Sequence, residues 1–313
     1  LLFGAGMVLF MEKAWARGAT RWLQFRRLCW LLLFGLLHFF LLWQGDILAL
    51  YAMCGTLVLL TLKWKPKTKI VTALLVYVIG SLLWASSFAF MYAVAETPFG
   101  DRPEMADSID GVIAAKSDPL ADEAIENPLK QDGTYAELVE HRLTEHTFDP
   151  FSFFLLVSVE TIPLMLLGAA LFQLGMFSGG VNPGRMRVWG WTGVIAGSAL
   201  TLAIALWVKS VGFSYFSTMF AFIGASMLPR LPVILGLAAL LALWGAGKKG
   251  WLGERVVATG RMAFSNYLGT SFVLLFVFSP WALDLFGVLN RPQLYLVVLA
   301  VWVLMLLWSK PWL

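Results

Sequence analysis

The chain has 313 residues, 59% of them hydrophobic, and a mean hydropathy of +0.77. A soluble domain of this length alternates apolar residues with charge, so that class is excluded and an all-α, polytopic transmembrane helical bundle is expected. The net charge of +4 conceals a segregation: residues 96–150 hold 14 acidic and 4 basic residues, while the remainder holds 19 basic and 5 acidic ones.

Apolar segments run over residues 1–11, 28–43, 46–62, 70–95, 151–177, 188–208, 211–227, 230–245, 262–281 and 294–309. Several are shorter than the ~20 residues that cross a ~30 Å hydrocarbon core, which implies tilt or local thinning. The sequence opens on Leu1 inside an apolar run, as a fragment that has lost an N-terminal segment does. Cys29 and Cys54 fall within apolar segments and give no disulfide framework. No fixed-period repeat is visible.

Orientation follows from lysine and arginine in the short loops. Lys13, Arg17, Arg21, Arg26 and Arg27, then the four lysines of 63–69, then Arg185 and Arg187, place three loops on one face, taken as cytoplasmic. The acidic stretch 96–150 then forms a small extracytoplasmic insertion between transmembrane parts 1–95 and 151–313. If 211–227 spanned fully, the basic stretch 247–255 would fall outside. Its "GFSYFSTMFAFIGASM" composition suits an interfacial or re-entrant piece, which returns Lys248, Lys249 and Arg255 to the cytoplasmic side. The expectation is nine crossings, the first truncated, plus this one non-spanning element.

Residues 28–62 cannot form one helix, since 35 residues at 1.5 Å each would reach ~52 Å against a ~30 Å core. The break belongs at "WQGD", with Gln44 and Gly45 in an outer turn and Asp46 capping the next helix. His38 lies five residues before Trp43 and Tyr51 five after Asp46, so each sits ~7 to 8 Å below the turn. The three could line one cavity that opens outward. Asp46 reads as a helix cap, with or without a further role. His38 reads either as a buried imidazole bonded to a neighbouring helix or as a functional group, because intramembrane ionisable side chains are costly.

Glu160 lies ~14 Å into its segment by helical rise, near the midplane and three residues before Pro163, which would bend the helix. It is either a protonated structural carboxyl or a proton or substrate site, and with His38 it is the leading candidate for an acid/base pair. "EHRLTEH" puts Glu137, His141 and Glu145 at i,i+4 spacing, but His146 falls off that face and no HExxH is present, so a solvated helix and no metal are expected. In "GRMAFSNYLGTS", Asn266 and Thr270 share a face. That stretch either packs helices through small and polar residues or forms an anion site, where Arg261, Lys248, Lys249 and Arg255 hold phosphates. Basic cytoplasmic residues also serve anionic lipids. No phosphate loop, GxSxG or zinc cysteine pair occurs, and nothing points to nucleic acid.

"RRLCWLLLFGLLHFFLLWQGDILALYAMCG" and "GRMAFSNYLGTS" together resemble the two signature regions of the bacterial YeiB-like membrane protein family. The matching positions include Arg27, Gly35, His38, Asp46, Tyr51, Arg261, Asn266 and Tyr267, whereas Phe264, Ser265 and Thr270 depart from the usual pattern. That family is similar to transmembrane acyltransferases such as heparan-α-glucosaminide N-acetyltransferase. The resemblance implies a bacterial inner-membrane enzyme that transfers an acyl group from cytoplasmic acyl-CoA, acetyl-CoA for example, to an extracytoplasmic glycan or lipid acceptor. His38 would be general base or transient acyl carrier, oriented by Asp46 or Glu160; Arg26, Arg27, Arg261 and Asn266 would hold the cofactor; Tyr51 and Tyr267 would meet substrate. Membrane lipids and the acceptor are the expected partners, with self-association open. A proton-coupled carrier or flippase working through Glu160, or a non-catalytic subunit, is the rival reading.

Overall fold

The computed structural model describes residues 1–245 and 250–313, except for the side chains of residues 118–120. Among the described residues the chain is helical throughout, with no strand. The helices are α1 (Leu2–Trp15), α2 (Arg21–Leu41), α3 (Leu48–Thr61), α4 (Pro66–Glu96), α5 (Ala106–Asp132), α6 (Tyr135–Thr144), α7 (Asp149–Gln173), α8 (Pro183–Ser210), α9 (Tyr215–Met219), α10 (Met227–Gly245), α11 (Trp251–Arg261), α12 (Ala263–Phe278) and α13 (Arg291–Trp312). Six of them, α2, α4, α7, α8, α10 and α13, are long and apolar enough to cross a membrane. The protein is therefore a polytopic all-α membrane protein, as composition demands.

The remaining apolar segments are where length and crossing part company. Helices α1 and α3 have 14 residues each, or ~21 Å, so a count of nine crossings needs both to sit in thinned bilayer. Helix α9 continues as a π-helical turn over Phe220–Ala225, and the combined Tyr215–Ala225 is a short apolar helix, in keeping with the non-spanning element expected there. Helices α11 and α12 meet at a bend of 85° and make a seventh span only if taken together. The apolar pattern marks 262–281 and gives no sign of that bend.

The chain divides into two compact units built from non-contiguous stretches. The first comprises residues 1–31, 50–119 and 153–244. Its core joins Met7, Val8 and Met11 of α1 to Leu28, Cys54, Val58 and Leu62, and to Met165, Leu166 and Ala169 of α7. Helices α8 and α10 approach closely because Gly190, Gly193 and Gly197 face Gly236, Pro232 and Pro229; a Cβ at any of the three would enter the partner's backbone or side chains. Lys69, fully buried, donates to the Leu62 carbonyl at 2.8 Å and to Gln173 Oε1 at 2.7 Å. A residue counted with the basic loop is thus the cap of α3's free carbonyls. Glu96 caps α9 by accepting from the Phe216 N–H at 3.1 Å and from the Ser214 hydroxyl.

The second unit comprises residues 32–49, 120–152 and 245–313. It contains the end of α2 and the turn after it, the second half of α5, α6, and the α11–α12–α13 group. Helix α6 starts with a capping box between Thr134 and Glu137. Helix α13 starts with another between Asn290 and Gln293.

Candidate functional site

The hairpin forms where the length argument puts it. Helix α2 ends at Leu41, and the Leu42 and Trp43 N–H groups both donate to the His38 carbonyl, at 2.9 and 2.8 Å. Gln44 and Gly45 make the turn, and α3 starts two residues after Asp46. Asp46 Oδ2 accepts from the Ala49 N–H at 2.8 Å, the expected cap. Its other oxygen does more: Oδ1 lies 2.9 Å from His38 Nδ1 and accepts from the Tyr267 hydroxyl at 3.3 Å. Tyr267 in turn accepts from the Ile47 N–H at 3.1 Å.

The His38 and Asp46 side chains are 0% and 1% exposed. A carboxylate so fully removed from water is tolerable only with compensating donors, and Asp46 has them on both oxygens. His38 Nδ1 faces Asp46 Oδ1 at 2.9 Å without the alignment of a hydrogen bond, and Nε2 has no hydrogen-bond partner among the described residues. Gly35 makes the cluster possible: a Cβ there would stand 2.9 Å from Asp46 Oδ2 and overlap the Ala49 backbone. Only a residue without a side chain lets α2 come this close to the start of α3.

Tyr267 also lines a cavity of about 880 Å³ inside the second unit. Leu274, Leu275, Phe278, Trp281 and Trp302 make its walls apolar, while Asn266, Thr270 and Ser271 add a polar strip along α12. Few polar groups in a largely apolar hollow of this size is the usual make-up of a small-molecule site. Lys130 and Arg142 are its cations. Burial lowers the pKa of Arg142, yet an arginine starts so high that it remains charged. His38 and Asp46 do not line the cavity; the ring of Tyr267, 4.9 Å from that of His38, does.

Asn266 is 1% exposed and fully engaged. Its Nδ2 donates to the Thr259 carbonyl and to Ser309 Oγ, both at 3.1 Å, and its Oδ1 accepts from Trp308 Nε1 at 2.6 Å. It therefore pins the α11–α12 bend to α13, which is the packing alternative for this stretch. Arg255 donates through one nitrogen to the Leu306 and Leu307 carbonyls, at 2.9 and 3.1 Å, and likewise grips α13. Arg261 is exposed. Lys248 and Lys249 lie outside the described residues.

The other residues singled out from sequence lie elsewhere. Tyr51 packs its ring 5.4 Å from Phe3 in the first unit and is not among the cavity residues. Arg27 stacks 3.8 Å over Phe10, and Arg26 is exposed. Glu160 receives Arg230 on both oxygens, at 3.1 and 2.9 Å; Arg230 also donates to the Phe222 carbonyl and to Ser226 Oγ. Sequence reasoning passed over Arg230, although a lone arginine heading an apolar run is as costly as His38 and should have prompted a search for its partner.

Residues 171–313 match the family described as "Protein of unknown function (DUF418)". The chain is 29% identical over 331 residues to "Uncharacterized protein YxaH" of Bacillus subtilis strain 168, across all of this chain and 73% of that protein. It is 27% identical over 320 residues to "Uncharacterized protein YeiB" of Escherichia coli strain K12, across all of this chain and 75% of that protein. A shorter stretch of 88 residues is 36% identical to the "Uncharacterized 39.9 kDa protein in amylase 3'region" of Bacillus acidopullulyticus, covering 28% of this chain and 25% of that protein. No solved structure matches the chain. Whole-length similarity to two such proteins, joined to the match over its C-terminal part, makes the chain similar to the YeiB-like proteins of unknown function.

Proposed function

We propose that the protein is a membrane acyltransferase whose chemistry is centred on His38. The observation that carries this reading is a buried imidazole with Nδ1 facing a carboxylate and Nε2 left without a partner. An ionised Asp46 accepts only, so the proton belongs on Nδ1 and the lone pair on Nε2, the arrangement a general base needs. Nε2 takes the proton of an acceptor hydroxyl or amine as that group bonds to the acyl carbonyl carbon. The imidazolium, stabilised by Asp46, then protonates the departing group. Tyr267 lines the cavity and His38 does not, so Tyr267 must swing aside to admit the acceptor. Its hydrogen bond to Asp46, at 3.3 Å, is the weakest in the cluster.

Acyl-CoA as donor rests on the family resemblance. Arg26, Arg27 and Arg261 do not line the cavity, and Asn266 has its donors committed. The cavity suits an acyl chain better than a phosphate group, and no step is assigned to the nucleotide part of a donor. A bacterial inner-membrane location, with 96–150 outside and the acceptor entering from that face, follows from the basic loops. The carrier reading loses its motive, since Glu160 is compensated by Arg230 on both oxygens.

The test is transfer of labelled acetyl from acetyl-CoA into the lipid and glycan fractions of membranes that contain the full chain. His38→Ala should lower the rate ~10²-fold or more, and Asp46→Asn should follow it. Folded His38→Ala protein that transfers at the wild-type rate, or a wild type that binds acetyl-CoA without transferring, overturns the proposal.

A further inference from the structure

Where α5, α6 and the turn into α7 meet, three side chains converge that the proposed chemistry does not use. Glu126 comes from α5, His141 from α6, and His146 from the turn. One ligand atom of each lies within 4.8 Å of the other two. His146 Nε2 and Glu126 Oε1 are 3.6 Å apart. Both of those atoms and His141 Nε2 are buried and lack a hydrogen-bond partner among the described residues. Three such atoms facing one another call for an occupant. His146 is 6% exposed and Glu126 8%, so bulk water does not supply it.

We propose that Glu126, His141 and His146 bind a divalent first-row transition metal, zinc being the best fit, with a fourth position open to water or a ligand. Two imidazoles and one carboxylate are an ordinary ligand set for Zn²⁺. Bonds of ~2.1 Å at the tetrahedral angle put ligand atoms ~3.4 Å apart, close to the 3.6 Å already present between His146 and Glu126. The remaining contraction is within side-chain rotation.

The surroundings prepare the ligands. His146 Nδ1 lies 2.8 Å from Asp149 Oδ2, and a carboxylate only accepts, so the proton sits on Nδ1 and the Nε2 lone pair faces the cluster. A carboxylate behind a metal-bound imidazole is the standard outer shell. Glu126 Oε2 is paired with Lys130, which leaves Oε1 as the ligand. Lys130 and Arg142 oppose a dication and limit its affinity. The helical face Glu137–His141–Glu145 is not this site: Glu137 and Glu145 are exposed, and chain folding brings Glu126 and His146 to His141 instead.

The function of such a site is to fix the α5–α6 corner. Gln44, in the hairpin turn, and Lys130, one turn along α5 from Glu126, both line the cavity, so the metal would steady the α5 side of its wall.

The experiment uses the full chain in detergent without a polyhistidine tag, stripped with chelator and titrated with Zn²⁺, then with Co²⁺ as the optical probe. One equivalent is expected, with visible absorption of a four-coordinate Co²⁺ site and a rise of several degrees in the unfolding midpoint. H141Q, which gives up no hydrogen bond in the metal-free protein, should lose the equivalent and the absorption; E126Q should do the same. D149N should weaken binding ~10 to 100-fold, and E145Q, exposed on the same segment, should leave it unchanged. Failure of the folded wild-type protein to take up stoichiometric Zn²⁺, or undiminished binding by H141Q and E126Q, refutes the site. The wild-type titration alone decides the matter if a variant does not fold.

Discussion

Replacing Asp46 by alanine removes the acceptor of two donors, the Ala49 N–H and the Tyr267 hydroxyl, and the carboxylate that faces His38 Nδ1. Loss of the cap costs about 1 kcal/mol. Each hydrogen bond to a buried carboxylate is worth about 1.5–3 kcal/mol, and the donors left behind stay buried and unpaired. These effects share partners and do not add in full, so about 3–5 kcal/mol is expected. Asp46→Asn keeps one accepting oxygen for the Ala49 N–H but turns an amide toward His38 or Tyr267, which should cost about 1.5–3 kcal/mol. Reversible unfolding in mixed micelles, followed by tryptophan fluorescence, reads both values. A cycle pairing Asp46→Asn with Tyr267→Phe should return a coupling of about 0.5–1.5 kcal/mol. If Asp46→Ala unfolds within about 0.5 kcal/mol of wild type, the carboxylate does not hold the hairpin as described, and the orientation of His38 loses its basis.

Gly35→Ala should destabilise by about 1–3 kcal/mol through overpacking and should lower activity along with stability, since its Cβ reaches the carboxylate that faces His38; the same unfolding assay checks it. Arg230→Met, which strands Glu160, should cost about 2–4 kcal/mol, whereas the double change Glu160→Leu with Arg230→Met should recover most of it; equal losses in both would refute a paired charge. Lys69→Met removes donors from the Leu62 carbonyl and Gln173 and should cost about 1–3 kcal/mol, against little change for Lys67→Met in the same assay. Glu137 accepts from Thr134, which lowers its pKa. Its contribution to stability is therefore present above the ordinary carboxylate pKa and lost as pH falls through the lowered one. Glu137→Gln should accordingly be less acid-sensitive than wild type in amide exchange of α6.

What the sequence discloses about this protein is what neighbours in the chain decide. His38 and Asp46 are eight residues apart, and a bilayer of fixed thickness forces the chain between them to turn, so both are placed at one hairpin; that Asp46 Oδ1 faces Nδ1 is seen only in the structure. The cap follows from the same turn. Tyr267 meets Asp46 across 221 residues and Arg230 meets Glu160 across 70. Apolar periodicity says which face of a helix is buried, not which helix it is buried against. Glu126 is hidden for the same reason: local spacing sets His141 beside Glu137 and Glu145, while Glu126 reaches His141 and His146 only through the fold. The α11–α12 bend escaped notice because its cause is tertiary: Asn266 is held by α13, and nothing in "GRMAFSNYLGTS" announces that partner.

That hold has a mechanical consequence. Asn266 is bolted to Trp308 and Ser309 of the last helix, and the very next residue, Tyr267, is bolted to Asp46 and Ile47. A helix in a bilayer answers changes in thickness by tilting, so strain taken up by α13 arrives, one residue along a stiff helix, at the phenol that screens His38. The last helix and the phenol beside the imidazole are thus coupled in series, like a lever and its latch.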